Sequence, residues 1–172
     1  MKVADLVAEF LAQHIKHVFT VSGGADLHLI HAIWKRNDIK IICPQNEQSA
    51  SFQADTYARL AGFGCALATS GPGATNLITG IATSYYDSVP VLYLTGQQVR
   101  DRLKGDTKVR QIGFQETPII DIVYPVTKYA YMPMRAEDVI PALTNAVMIA
   151  KQGRPGPVLI DIPDDLQRAQ IG

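Results

Sequence analysis

Two cysteines, a single tryptophan and no surplus of either charge are the scarce features of this 172-residue chain. Cys43 and Cys65 are too few for a disulfide framework and lack metal-type spacing. Each lies inside an apolar run or at its end, so both are expected as buried thiols in a reducing compartment, which makes the location cytoplasmic. Lys plus Arg equal Asp plus Glu at 16 each, leaving no general attraction to nucleic acid or anionic membrane. The one basic stretch, residues 100–110, also carries Asp101 and Asp106 and reads as a solvated loop. Asp5 and Glu9 interrupt the apolar positions of MKVADLVAEFLAQHI, so the N-terminus reads as neither signal peptide nor membrane span. Trp34 has no aromatic partner at stacking spacing and is expected in the core. His14, His17, His28 and His31 lack a third ligand at metal spacing, so no metal site is expected on this chain.

What is abundant is apolar sequence, 47% of residues against 19% charged, enough for one domain with a substantial core. Val3, Leu6, Val7, Phe10 and Leu11 give an amphipathic first helix. Strands are predicted at 17–21 (HVFTV), 40–43 (KIIC), 65–69 (CALAT), 91–95 (VLYLT), 126–131 and 157–162 (PVLIDI). Helices are predicted after Ser22-Gly23-Gly24 to about Trp34, over Glu47 to about Leu60, Ala74 to about Tyr85, 116–123, and Ala136 to about Ala150. Residues 97–115 form a long polar stretch without a period, and loops of that length in compact domains are usually functional or mobile. Strands without alternation, separated by helices, indicate a doubly wound α/β domain: a mainly parallel sheet with helices on both faces.

Glu47 is the chemical focus. The apolar strand IKIIC runs into this acid, which opens a helix, and the next strand ends in a Gly-Pro-Gly turn. A carboxylate and a glycine-rich turn at the C-terminal ends of strands stand where α/β sheets place their ligands. Taken alone, the acid has a blander role, favouring a helix N-terminus capped by Asn46. Seven segments stand in a specific order: VSGGADL (21–27), NEQSASFQADTYARLAG (46–62), ATSGPGATN (68–76), DSVPVLYLTGQ (87–97), GFQE (113–116), PVTKYA (125–130) and GPVLIDIP (156–163). Together they resemble the pyrimidine-binding (PYR) domain of thiamine-diphosphate enzymes of the acetohydroxyacid (acetolactate) synthase-like group.

The resemblance implies a flavodoxin-like three-layer sandwich that binds thiamine diphosphate, with Glu47 as the glutamate that activates the coenzyme by exchanging a proton with ring nitrogen N1′. Such a carboxyl belongs in an apolar pocket, where desolvation strengthens its hydrogen bond. Thr69, Pro72 and Asn76 match residues lining the aminopyrimidine pocket. Val21 and Ser22 precede Gly23 and Gly24 on the thiazolium side, and Ser22 stands where the family commonly has proline. Gln115, beside Phe114, matches a glutamine that points into the reaction centre. Decarboxylase-type relatives carry an acid at the position of Gly24 and a His-His pair after the segment matching Thr95-Gly96. This chain has Gln97-Gln98-Val99 there, which favours a carboligase or another acetohydroxyacid synthase-like activity, and the resemblance implies a carboligase or lyase acting on a 2-oxo acid.

The diphosphate and its Mg²⁺ are held in the family by a separate domain with a GDG motif, absent here, and a middle domain binds FAD in some relatives. Residues 1–172 are therefore expected to be a single pyrimidine-binding domain, inactive alone. It is either part of a longer protein or a subunit of a split enzyme, such as the small subunit of a 2-oxo acid decarboxylase. Its expected partners are a diphosphate-binding domain of the same or another subunit, a further copy in a homo-oligomer, and a small-molecule substrate. A non-catalytic regulatory or structural domain of the same fold is the alternative. A flavodoxin-like nucleotide-binding module ranks last, because neither GxGxxG nor GxxxxGK[ST] is present.

Overall fold

Six strands run in parallel through the computed structural model, which describes residues 1–171, in the order β2-β1-β3-β4-β6-β5. They are β1 (His17–Val21), β2 (Lys40–Ile42), β3 (Gly64–Ala68), β4 (Val91–Gln97), β5 (Tyr129–Tyr131) and β6 (Val158–Pro163). Strands β3, β4 and β6 are buried along their whole length, which is why they read as unbroken apolar runs. The edge strands β2 and β5 are only three residues long and partly exposed. From β1 the chain steps outward to β2, then returns to the other side of β1 as β3. The point where strand order reverses thus lies between β1 and β3.

Helices cover both faces. Helices α1 (Val3–His14), α2 (Leu27–Trp34), α7 (Val139–Lys151) and α8 (Asp164–Arg168) pack on one face, against Cys65, Leu67, Leu92, Leu94, Val158 and Ile160. Helices α3 (Glu47–Ala61), α4 (Pro72–Asn76), α5 (Ile78–Tyr86) and α6 (Ile119–Val123) cover the other, against Ala66, Ala68, Val91, Tyr93 and Leu159. Odd and even strand residues thus feed separate cores, as the pleat requires. No helix among the described residues is long and apolar enough to cross a membrane.

Helix α3 is held unusually close to the sheet. Its inner face is Ala50, Ala54 and Ala58, and a Cβ on Gly64 would lie 2.1 Å from the Ala54 carbonyl oxygen. Buried Asp55 accepts from Arg59 Nε and from Ser84 Oγ, each at 2.7 Å. The Tyr93 hydroxyl then donates to Ser84 at 3.0 Å, because the Ser84 proton is already committed. These contacts fix α3 against α5 and β4, and with it the acid at its first residue.

Several expectations are corrected. Trp34 is not in the core but 72% exposed: it ends α2 on the outer side, while Leu29, Ala32 and Ile33 face inward. Cys43 is exposed because β2 stops at Ile42, whereas Cys65 is buried as expected. The helix expected over 74–85 is two helices meeting at Leu77, the first opened by Pro72. The strand expected from 126 starts at Tyr129, since a 3₁₀ turn over Tyr124–Val126 contains Pro125. Helix α6 is shorter than expected, and α8 was not foreseen.

Candidate functional site

The reversal point gathers the C-terminal ends of β1, β2 and β3. Asn46 caps α3, its Oδ1 accepting the Gln48 N–H at 2.8 Å, and so presents Glu47 in the first turn. Glu47 is half-buried. Its Oε2 accepts from Asn76 Nδ2 at 3.0 Å, which joins the start of α3 to the end of α4. Its Oε1 has no hydrogen-bond partner among the described residues and faces Gly73. A Cβ on Gly73 would stand 3.5 Å from Oε1 and 2.8 Å from Thr69 Cγ2. The missing side chain lets Thr69 Cγ2 and the acid's Oε1 both close in on this turn of α4.

Thr69 connects this group to the turn after β1. Its Oγ1 accepts the Ala25 N–H at 3.1 Å, and a Cβ on Gly23 would lie 2.4 Å from Thr69 Cβ. Gly23 is therefore required by the close approach. Val21 ends β1 in register with Ala68, and Ser22 and Gly24 are exposed at the strand mouth. Pro72 is exposed at the first position of α4.

Gln115 reaches the site from the long loop. It adopts φ 60°, and a Cβ on Gly71 would lie 2.8 Å from its Cβ. The loop thus closes onto the Gly-Pro-Gly turn. Gly24, Thr69, Gln97, Gln98, Phe114 and Gln115 together line a hollow of about 320 Å³. A larger hollow of about 470 Å³ under the same loop contains none of the residues expected at the coenzyme. Glu47, Thr69, Asn76 and Gly23 are thus one constellation, and Gly24 and Gln115 share an adjoining one. The apolar enclosure expected around Glu47 is incomplete, since its carboxyl remains half-exposed.

Three acids were missed by sequence reasoning. Glu116 organises the loop by accepting N–H bonds from Lys104 at 2.6 Å, Ile112 at 3.0 Å and Gly113 at 3.3 Å. Asp161 is buried in β6, where Thr95 Oγ1 and Gln97 Nε2 donate to it at 2.7 and 2.8 Å, and burial pushes its carboxyl up to about 7. Asp26 is fully buried and accepts the Gly23 N–H on Oδ1 at 2.9 Å. Burial pushes it up to about 7, the Gly23 bond opposes this, and the charge of Glu47 adds to it. The one sequence signal was a charge inside an apolar run, visible for Asp161 in PVLIDI.

Comparison with known proteins gives the family. Residues 1–124 match the family model described as thiamine pyrophosphate enzyme, N-terminal TPP binding domain. The chain is 41% identical to acetolactate synthase 2, chloroplastic, of Nicotiana tabacum, over 99% of this chain and 25% of the relative. It is 44% identical to acetolactate synthase of Arthrospira platensis, over 98% of this chain and 29% of the relative. It is 43% identical to the acetolactate synthase large subunit of Haemophilus influenzae, over 94% of this chain and 28% of the relative. The chain spans little more than a quarter of the length of these relatives. With the doubly wound sheet and a family match over most of its length, the chain belongs to the thiamine pyrophosphate enzymes, as an N-terminal pyrimidine-binding domain of the acetolactate synthase-like kind.

Proposed function

We propose that this domain holds the aminopyrimidine half of thiamine diphosphate, and that Glu47 activates the coenzyme through ring nitrogen N1′. The whole protein is then a carboligase or lyase of acetolactate synthase type acting on a 2-oxo acid. The two oxygens of Glu47 carry the reading: Asn76 holds Oε2, while Oε1 stands free beside side-chain-less Gly73, on the recess we assign to the ring. Helix capping alone does not call for the Asn76 bond that turns one carboxylate oxygen away and leaves the other free.

When bound, thiamine diphosphate supplies a nucleophilic carbon for addition to a substrate carbonyl. The chain's own residues divide the remaining work. Glu47 exchanges a proton at N1′, and Asn76 orients it. Thr69 and Pro72 wall the recess, while Val21, Ser22, Gly23 and Gly24 form the backbone edge towards the thiazolium side. Gln115 and Phe114 flank the substrate. Gly24, Gln97 and Gln98 share that hollow, where a decarboxylase of this class needs an acid and paired histidines, and this supports carboligation.

The diphosphate and Mg²⁺ fall to a second domain of the same or another subunit, in keeping with relatives about four times as long. FAD, where present, belongs to a middle domain outside residues 1–172. A cytoplasmic homo-oligomer completes the reading, in which the 172 residues are one domain. The test is Glu47→Gln in the full-length protein with thiamine diphosphate and Mg²⁺. Turnover should fall at least about a hundredfold with the unfolding midpoint unchanged. Near-full turnover would sink the assignment.

A further inference from the structure

Asp26 is an acid that the fold does not need in acidic form. Its structural duty is one accepted hydrogen bond, Gly23 N–H to Oδ1 at 2.9 Å. An asparagine would accept the same bond with the same shape and without an ionisable group, its amide nitrogen standing where Oδ2 has no partner. Instead the chain keeps a carboxyl that is 0% exposed, with Oδ2 unpartnered. A buried acid retained beside a candidate coenzyme site, at a cost in stability, marks a functional group.

Glu47 is the charged group that acts on it. The other ionisable groups on nearby elements have partners of their own. His28 on α2 lies 3.5 Å from Asp164 on α8, which also lies 3.3 Å from Arg168, and Asp161 on β6 is held by Thr95 and Gln97. Because Glu47 is half-exposed, water screens its field at Asp26 while the recess is open. A flat ring laid against Glu47 excludes that water and strengthens the repulsion between the two carboxyls.

We propose that Asp26 is a proton-holding positioning residue: its neutral carboxyl sets the Gly23–Gly24 turn and leaves Glu47 the sole charge of the recess, so that binding of the aminopyrimidine is coupled to proton retention on Asp26. The inference rests on the coenzyme reading above. Its sign follows from linkage: a ligand that favours the protonated acid takes up a proton and binds more weakly as pH rises.

The test uses the full-length protein with Mg²⁺, comparing wild type with Asp26→Asn. Thiamine diphosphate affinity and proton uptake are read by calorimetry in buffers of differing ionisation enthalpy. Between about pH 6 and about pH 8 the wild type should lose about tenfold more affinity than Asp26→Asn and take up more protons on binding. Asp26→Ser, which keeps an acceptor on a smaller side chain, repeats the comparison should the asparagine variant fold poorly. Identical pH profiles and proton uptake in wild type and variant would overturn the role of Asp26. If that happens while Glu47→Gln still abolishes turnover, the coenzyme reading survives; if the protein does not bind thiamine diphosphate, both fall.

Discussion

The Asn76 side chain donates to Glu47 Oε2 at 3.0 Å, and this bond ties α3 to α4 across the reversal point of the sheet. It selects which carboxylate oxygen stays free. Asn76 is exposed, so its loss leaves the core untouched. Asn76→Ala in the full-length protein should lower turnover about tenfold to a hundredfold by loosening the aim of Glu47. The unfolding midpoint should not move. Unchanged turnover would show that Glu47 is oriented by something else.

Gly73 is packed too closely against Thr69 to carry a side chain. An alanine there puts a methyl group 3.5 Å from Glu47 Oε1 and 2.8 Å from Thr69 Cγ2. Gly73→Ala should weaken thiamine diphosphate binding at least about tenfold while far-ultraviolet circular dichroism stays the same. Binding of full strength would move the aminopyrimidine away from this recess.

Gly64 sets the depth of α3. Its Cβ would lie 2.1 Å from the Ala54 carbonyl oxygen, a backbone atom that cannot rotate aside. Gly64→Ala should cost about 1–3 kcal/mol in urea unfolding as the helix is pushed from the sheet. A loss below about 0.5 kcal/mol would show that α3 shifts without penalty.

Two buried acids set a pH trend. Asp26 and Asp161 are both raised from 3.8 to about 7 by burial. Acids raised on folding contribute stability below their unfolded value, and that contribution is lost as pH rises through the folded one. Asp5, Asp38 and Glu137, lowered by their hydrogen bonds, work in the opposite sense but below about 4.5, and His14, lowered from 6.5 by burial, is one group opposing two within the window. The urea midpoint should therefore fall from about pH 4 to about pH 7 and then level off. A midpoint that rises across this window would contradict the burial of both acids.

Glu116 holds the long loop by three backbone N–H groups. Glu116→Ala should speed amide hydrogen exchange at Lys104, Ile112 and Gly113 and leave the β4 amides protected. Equal exchange in both proteins would mean that the loop is ordered by other contacts.

The sequence by itself determined the elements that depend on local pattern. Unbroken apolar runs in β3, β4 and β6 declared central parallel strands, because strands covered on both faces have no polar side to show. The acid after β2 and the Gly-Pro-Gly turn after β3 were legible as standing at strand ends, where the structure also has them. Family resemblance joined Glu47 to Thr69 and Asn76 before any distance was known.

Only tertiary structure decided what depends on which side of an element meets a neighbour. Trp34 and Cys43 were misplaced because apolar spacing does not report where a short helix or edge strand stops being covered. Asp26 carried no signal in the sequence, and only packing buried it and left Oδ2 without a partner. Glu116 drew together backbone groups up to twelve residues away in a loop without period. Burial and long-range pairing are properties of the folded surface, and no local spacing encodes them.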